Sequence, residues 1–213
     1  MNCENFEEWV GKKNILVILA HPDDPEFFCG AMIAKWCDQG HNVMYCLITK
    51  GQRGSEDAQI SVAKIEQTRI AEQQAAASVL GVSRVDFLDH MDGELVPDLK
   101  LREDIIRLIR MMKPEIVVTS DPQNLFPAIN RINHPDHRAA GQAVIDAVFP
   151  AAGNPRVIVM DKNGEPVPPH QVEEVWLAYT HQPDLKIELG KYFEKKVSAL
   201  LCHVSQIRET SDA

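Results

Sequence analysis

Apolar residues in this chain fall into blocks whose spacing switches between two patterns, continuous runs and three- or four-residue periods. Ile15 to Ala20 is an unbroken apolar run, which predicts a strand buried on both faces. It stops at His21-Pro-Asp23-Asp24-Pro-Glu26, after which Phe27, Phe28, Met32, Ile33 and Trp36 predict a helix from Glu26 to Gln39, ended by Gly40. Asn42 to Thr49 reads as a second buried strand, followed by the loop Lys50-Gly51-Gln52-Arg53-Gly54-Ser55. A helix from Val62 to Leu80 closed by Gly81, a short strand from Val85 to Leu88, a helix from Leu99 to Met112 and a strand from Glu115 to Ser120 continue the alternation. Such β-α-β-α order predicts an α/β fold with a doubly wound, mostly parallel sheet flanked by helices.

The remaining stretches are less regular. Phe6, Trp9 and Val10 sit at helical spacing, so residues 3 to 10 read as a short helix. An aperiodic loop from Asp121 to Asn133 leads into His134-Pro-Asp136-His137 and a helix running to about Phe149. Beyond Pro150, the turn Asn163-Gly164-Glu165-Pro166 predicts a hairpin, Val157 to Met160 and Val175 to Tyr179 read as strands, and a last helix spans Leu185 to Ile207. Leu189, Phe193, Val197, Leu200, Leu201, Val204 and Ile207 form the face this helix is expected to bury, and the tail from Glu209 is expected to fray.

Chemistry concentrates where the apolar blocks end. His21, Asp23 and Asp24 are zinc-type donors at a strand's carboxyl end, where open α/β sheets bind ligands. The same residues also read as a helix start, with Asp24 as N-cap, Pro25 in the first helical position and Glu26 in the first turn. Capping accounts for Asp24 and Glu26 and leaves His21 and Asp23 without a role. His134 and His137, three residues apart around Asp136, repeat the pattern at the start of a second helix. Two clusters that each contain His-Pro-Asp point to a metal-dependent enzyme. Arg53 is a candidate substrate contact at the same end of the sheet, and Asp89, His90 and Asp92 are weaker candidates to join it. The first strand lacks the Gly-x-Gly-x-x-Gly turn of dinucleotide sites, which argues against a nicotinamide or flavin enzyme.

Composition narrows the class. With 213 residues and 45% hydrophobic content, the chain is expected to be one domain, 1–213. A net charge of −9 opposes binding to nucleic acid or to anionic membranes. No stretch has the ~20 apolar residues of a membrane span, and the acidic N-terminus does not resemble a signal peptide. A cytoplasmic protein is the expectation. Five cysteines without a Cys-x-x-Cys pair read as mostly buried thiols in a reducing compartment.

With both clusters identified, the chain resembles the LmbE/PIG-L family of zinc-dependent N-acetylglucosamine deacetylases. Ala20-His-Pro-Asp-Asp-Pro-Glu26 is similar to the family's Ala-His-Pro-Asp-Asp-x-Glu, and His134-Pro-Asp-His137 to its second motif. Thr49-Lys-Gly-Gln-Arg-Gly54, Val175-Trp-Leu-Ala178 near Pro183-Asp184, and Ala199 to Gln206 add lesser matches, so the likeness spans residues 14 to 207. The resemblance implies a Rossmann-like fold with Zn2+ held by His21, Asp24 and His137. It implies Asp23 as general base, a protonated His134 stabilising the oxyanion, Asp136 orienting His134, and Arg53 holding substrate. Either Asp23 or His134 would then protonate the leaving amine. The implied substrate is a small N-acetylated sugar conjugate joined to malate, inositol or another group. No membrane anchor like that of the lipid-linked eukaryotic members is expected, which disfavours a glycolipid. The chain ends soon after Gln206, where several relatives continue, so a neighbouring copy in a homo-oligomer is one expected source of missing binding surface. Two rival readings are a zinc amidase or esterase acting on another acyl group, and a metal- or sugar-binding module without catalysis. Asp23 beside the ligands argues against the second.

Overall fold

The computed structural model describes residues 4–6 and 9–207. Five strands form one wholly parallel sheet: β2 (Asn14–Leu19), β3 (Asn42–Thr49), β4 (Arg84–His90), β5 (Ile116–Ser120) and β6 (Glu174–Ala178). Their spatial order is β4-β3-β2-β5-β6. From β2 the chain therefore builds outward on one side through β3 and β4, then crosses to the other side for β5 and β6. This reversal leaves a crevice between the carboxyl ends of β2 and β5, which is where such sheets bind ligands.

Burial on both faces explains the continuous apolar run. Every residue from Ile15 to Leu19 is fully buried. Ile15, Val17 and Leu19 pack with α1 (Asp24–Asp38) and α2 (Val62–Leu80), whereas Leu16 and Ile18 pack with α3 (Leu99–Met112) and α4 (Pro135–Asp146). The second strand and the helices 62–80 and 99–112 fall where their patterns place them. Ser61 and Asp98 cap α2 and α3 through their side chains, and Gly81 closes α2 at φ 90°.

Elsewhere tertiary contacts redraw the expected elements. Asp23, not Asp24, occupies the N-cap of α1, and α1 begins two residues before Glu26. β4 extends to His90, because pairing with β3 continues past the short β-prone run. Glu4–Asn5 is a strand, β1, paired in parallel with β7 (Leu185–Lys186), in place of the helix read over 3 to 10; Cys3, Glu7 and Glu8 of that segment lie outside the described residues. Val157 to Met160 is not a ladder strand. The turn at Asn163-Gly164 does form, with a single antiparallel bridge between Met160 and Pro166. The buried Arg110 guanidinium organises this region, donating to the carbonyls of Ala151, Ala152, Asn154, Val157 and Val167 at 2.9–3.1 Å.

The expected long last helix is also corrected. Residues 185–186 are strand, α5 covers only Tyr192–Leu200, and the chain continues through turns to Gln206. Its predicted apolar face is largely exposed: Phe193 is 60% exposed, Leu201 60% and Val204 75%. Ala199 and His203 are buried instead, at 0%. The small Ala199 joins the core cluster of α1 and α2. Of the cysteines described, Cys29 and Cys46 are buried and Cys37 and Cys202 half-buried, all free thiols. Among the described residues, no helix is long and apolar enough to cross a membrane.

Candidate metal centre

The strand β2 ends at Leu19, and Ala20 to Asp23 turn sharply into α1, with Asp23 in the left-handed region at φ 88°. That conformation is uncommon for a non-glycine residue, costs on the order of 1–3 kcal/mol, and persists only where the surroundings over-determine it. It is held from α2. The Gln73 Oε1 accepts the Asp23 N–H at 2.8 Å, Arg69 donates to the Pro22 carbonyl, and the Arg69 Nη2 lies 3.3 Å from Asp23 Oδ2. Arg69 is 4% exposed, and a Cβ on Gly54 would collide with its guanidinium. The glycines flanking Arg53 thus make room for Arg69, an arginine that the helical pattern alone did not single out.

The turn brings both sequence clusters together. Asp24 stands between two imidazoles: its Oδ1 is 3.0 Å from His137 Nε2, and its Oδ2 is 3.4 Å from His21 Nδ1. Ring nitrogens of His21, His134 and His137 lie within 4.8 Å of one another. The outer nitrogens are engaged by groups that fix the rings. His21 Nε2 lies 3.2 Å from both Asp92 Oδ1 and Asp136 Oδ2. His137 Nδ1 meets Asn133 Oδ1 at 2.9 Å. A carboxylate and an amide oxygen only accept, so these outer nitrogens carry protons, and the inner ones face Asp24. When those inner nitrogens are unprotonated, His21, His137 and Asp24 present three donors toward one point. The residues therefore fit a divalent metal, and the outer carboxylates match the usual support of a metal-bound histidine.

Electrostatics separates the neighbouring carboxylates. Burial opposes ionisation of Asp24, but His137 and His21 hold its carboxyl well below the ordinary value. Burial also works against a charged His21, yet Asp24, Asp136 and Asp92 raise it well above the usual imidazole value. Asp23 goes the other way: burial, reinforced by Asp24, pushes it up to about 7 against the pull of Arg69.

Two expectations about His134 are corrected. The Asp136 carboxylate does not orient it; that carboxylate is taken by His21 and by the N–H groups of Gly93 at 2.6 Å and Leu95 at 3.2 Å. The Asp136 backbone N–H instead donates to His134 Nδ1 at 3.2 Å. Burial and the neighbouring His21 and His137 lower the His134 value, Asp136 and Asp92 notwithstanding, which disfavours the protonated ring. A neutral His134 that accepts at Nδ1 carries its hydrogen on Nε2.

Of the weaker candidates only Asp92 joins the centre, while His90 pairs with Asp104 and Asp89 with Lys50. Arg53 lies at the rim of the cleft, its guanidinium against Glu94 and its backbone N–H on Asp92 Oδ2 at 3.1 Å. The cleft has a volume of about 600 Å³ and is walled by Phe27, Phe28, Tyr179 and Arg131 besides the acidic and imidazole groups. Phe28 stacks on Tyr179 at 4.5 Å and meets His137 edge-on. A larger cavity of about 920 Å³ lies behind Phe28, and none of its lining residues is a histidine.

The family described as GlcNAc-PI de-N-acetylase, PIG-L, matches residues 16–148, a span that includes both clusters. The chain belongs to this family. Within it, the chain is 34% identical over 197 residues to a diacetylchitobiose deacetylase of Thermococcus kodakarensis, covering 92% of this chain and 71% of that protein. It is 28% identical over 204 residues to a probable N-acetyl-alpha-D-glucosaminyl L-malate deacetylase of Bacillus cereus, covering 92% and 84%. The N,N'-diacetylchitobiose deacetylase of Pyrococcus horikoshii, solved with an inhibitor, superposes with a TM-score of 0.82 at 29% identity, covering 92% of this chain and 72% of that one. The PIG-L family is metal-dependent, in keeping with the donor set described above.

Proposed function

We propose that the protein removes the acetyl group from an N-acetylglucosamine-containing conjugate, releasing acetate and a free amine, with zinc as its metal. The observation that carries this reading is the pairing of Asp24, gripped by His21 and His137, with an adjacent carboxylate, Asp23, that faces Arg69 and takes no part in the grip. His21, Asp24 and His137 would hold the metal, leaving coordination open as catalytic zinc sites do. When bound, the metal supplies Lewis acidity and makes water more acidic.

The remaining steps belong to the chain's own groups. Asp23, pushed up to about 7, is matched to accept a proton from the attacking water near neutral pH. His134, neutral with its hydrogen on Nε2, donates to the carbonyl oxygen as negative charge develops there. Asp136 and Asp92 fix the His21 ring, and Asn133 fixes the His137 ring. Asp23 can return its proton to the departing amine. Arg53, at the rim, is placed to bind polar groups of the sugar. The names of the relatives point to diacetylchitobiose or a glucosaminyl malate as substrate. Free buried thiols support a reducing, cytoplasmic setting.

The test is amine release from diacetylchitobiose and from the malate and inositol glycosides of N-acetylglucosamine, by zinc-loaded protein and by Asp23→Asn. Release by wild type and not by the variant supports the reading. No release by wild type with one zinc bound per chain overturns it in favour of another acyl substrate or a binding role.

A further inference from the structure

Beneath the metal centre lies a second polar cluster that the proposed chemistry does not use. Glu26, Tyr45, Gln73 and His203 come from α1, β3, α2 and the turns after α5, and each is 0% exposed. Gln73 Nε2 donates to both oxygens of Glu26, at 3.1 and 3.0 Å. The Tyr45 hydroxyl donates to Glu26 Oε1 at 3.3 Å, and His203 Nε2 lies 3.2 Å from Glu26 Oε2. A carboxylate only accepts, so Glu26 forces the nitrogen end of Gln73 toward itself. The oxygen end is left facing the turn, where it takes the Asp23 N–H at 2.8 Å.

We propose that Gln73 is a positioning residue for the catalytic turn, and that Glu26 and His203 aim it. The inference rests on the deacetylase reading for its effect on turnover, though not for its effect on the turn. Mutual satisfaction of buried polar groups explains why Gln73 has partners. It does not explain why one partner is the backbone N–H of Asp23, the residue with φ 88° that carries the general base. Gln73 stands one helical turn from Arg69 on α2, and Arg69 takes the Pro22 carbonyl. One face of one helix thus grips both polar ends of the Pro22–Asp23 peptide group, whose orientation helps set the direction of the Asp23 side chain. The same network explains why the segment after α5 docks here: His203 reaches Glu26, and Gln206 Nε2 donates to the Gly54 carbonyl at 2.9 Å.

The experiment compares wild type, Gln73→Met and Tyr45→Phe. Gln73→Met keeps the volume and removes both hydrogen-bonding ends. Tyr45→Phe removes one hydrogen bond to the same Glu26 and leaves the Asp23 N–H paired. Two readouts are taken, hydrogen exchange at the Asp23 amide and the separate values of kcat and KM with bound zinc quantified. Gln73→Met is expected to exchange faster at Asp23 and to lose kcat by up to about 10²-fold, the scale of a small misplacement of a reacting group. KM and zinc content are expected to stay at the wild-type level, and Tyr45→Phe to match wild type in both readouts. Unchanged exchange at Asp23 in Gln73→Met overturns the proposal, as does an equal loss of kcat in Tyr45→Phe. If Gln73→Met does not fold, Gln73→Asn, one methylene too short to span both partners, takes its place under the same criteria. A wild type that releases no amine defeats the deacetylase reading, while the exchange readout still decides the role of Gln73.

Discussion

The turn from His21 to Glu26 and the segment from Leu185 to Gln206 both deliver polar groups to the same region, and they do so by opposite means. In the first, charge follows abruptly on an apolar strand, and local sequence already marks the place. In the second, the residues that matter, Ala199, His203 and Gln206, lie among more conspicuous apolar neighbours that point to solvent. A buried helix face is recognised by size and hydropathy, but a tight approach selects small or hydrogen-bonding residues. Where α5 meets α1, close fit decides burial and hydrophobicity does not.

The contrast can be broken at several points. His137→Ala should have the largest effect, stripping the metal and lowering turnover by more than the roughly 10- to 100-fold typical of changes outside the ligand set; full zinc content by elemental analysis would refute the ligand assignment. Asp23→Asn should keep its zinc and lower kcat by roughly 10²- to 10⁴-fold, the range for a general base. Unchanged turnover on an active substrate removes that role. Asp136→Asn or Asp92→Asn should weaken metal affinity by roughly 10- to 100-fold through a less firmly held His21 ring, checked by chelator competition.

At the apolar positions of the second region the effects should be confined to stability. Ala199→Leu inserts bulk at a fully buried contact and should cost about 1–3 kcal/mol in denaturant unfolding. Phe193→Ser and Val204→Ser, at exposed positions, should change stability by no more than about 0.5 kcal/mol. If Phe193→Ser were the more damaging change, the helix would bury the face its spacing suggests, and the contrast would collapse.

Most of the sheet was legible because a strand buried on both faces leaves a continuous apolar run, as Ile15 to Leu19 does. Both histidine clusters were legible because charged groups at strand ends interrupt such runs. Other parts were not. Arg69 and Gln73 look like solvent-facing positions on an Ala-, Gln- and Glu-rich helix, yet both are buried against the turn. Glu26 reads as a first-turn acid and proves to be the fully buried hub of four elements. Asp136 looked like the partner of its near neighbour His134, and its carboxylate went to His21, 115 residues away.

The sequence by itself determined the alternation of strands and helices, the ends at which chemistry gathers, and the family to which the motifs belong, since each depends on residues close together in the chain. Tertiary structure alone decided which groups face one another. It set Asp24 between His21 and His137, opposed Arg69 to Asp23, turned the Asp136 carboxylate toward His21 and buried Ala199 in place of Phe193. Hydrogen bonds and ion pairs act over about 3 Å of space, and no local pattern records which distant residue will fill that space.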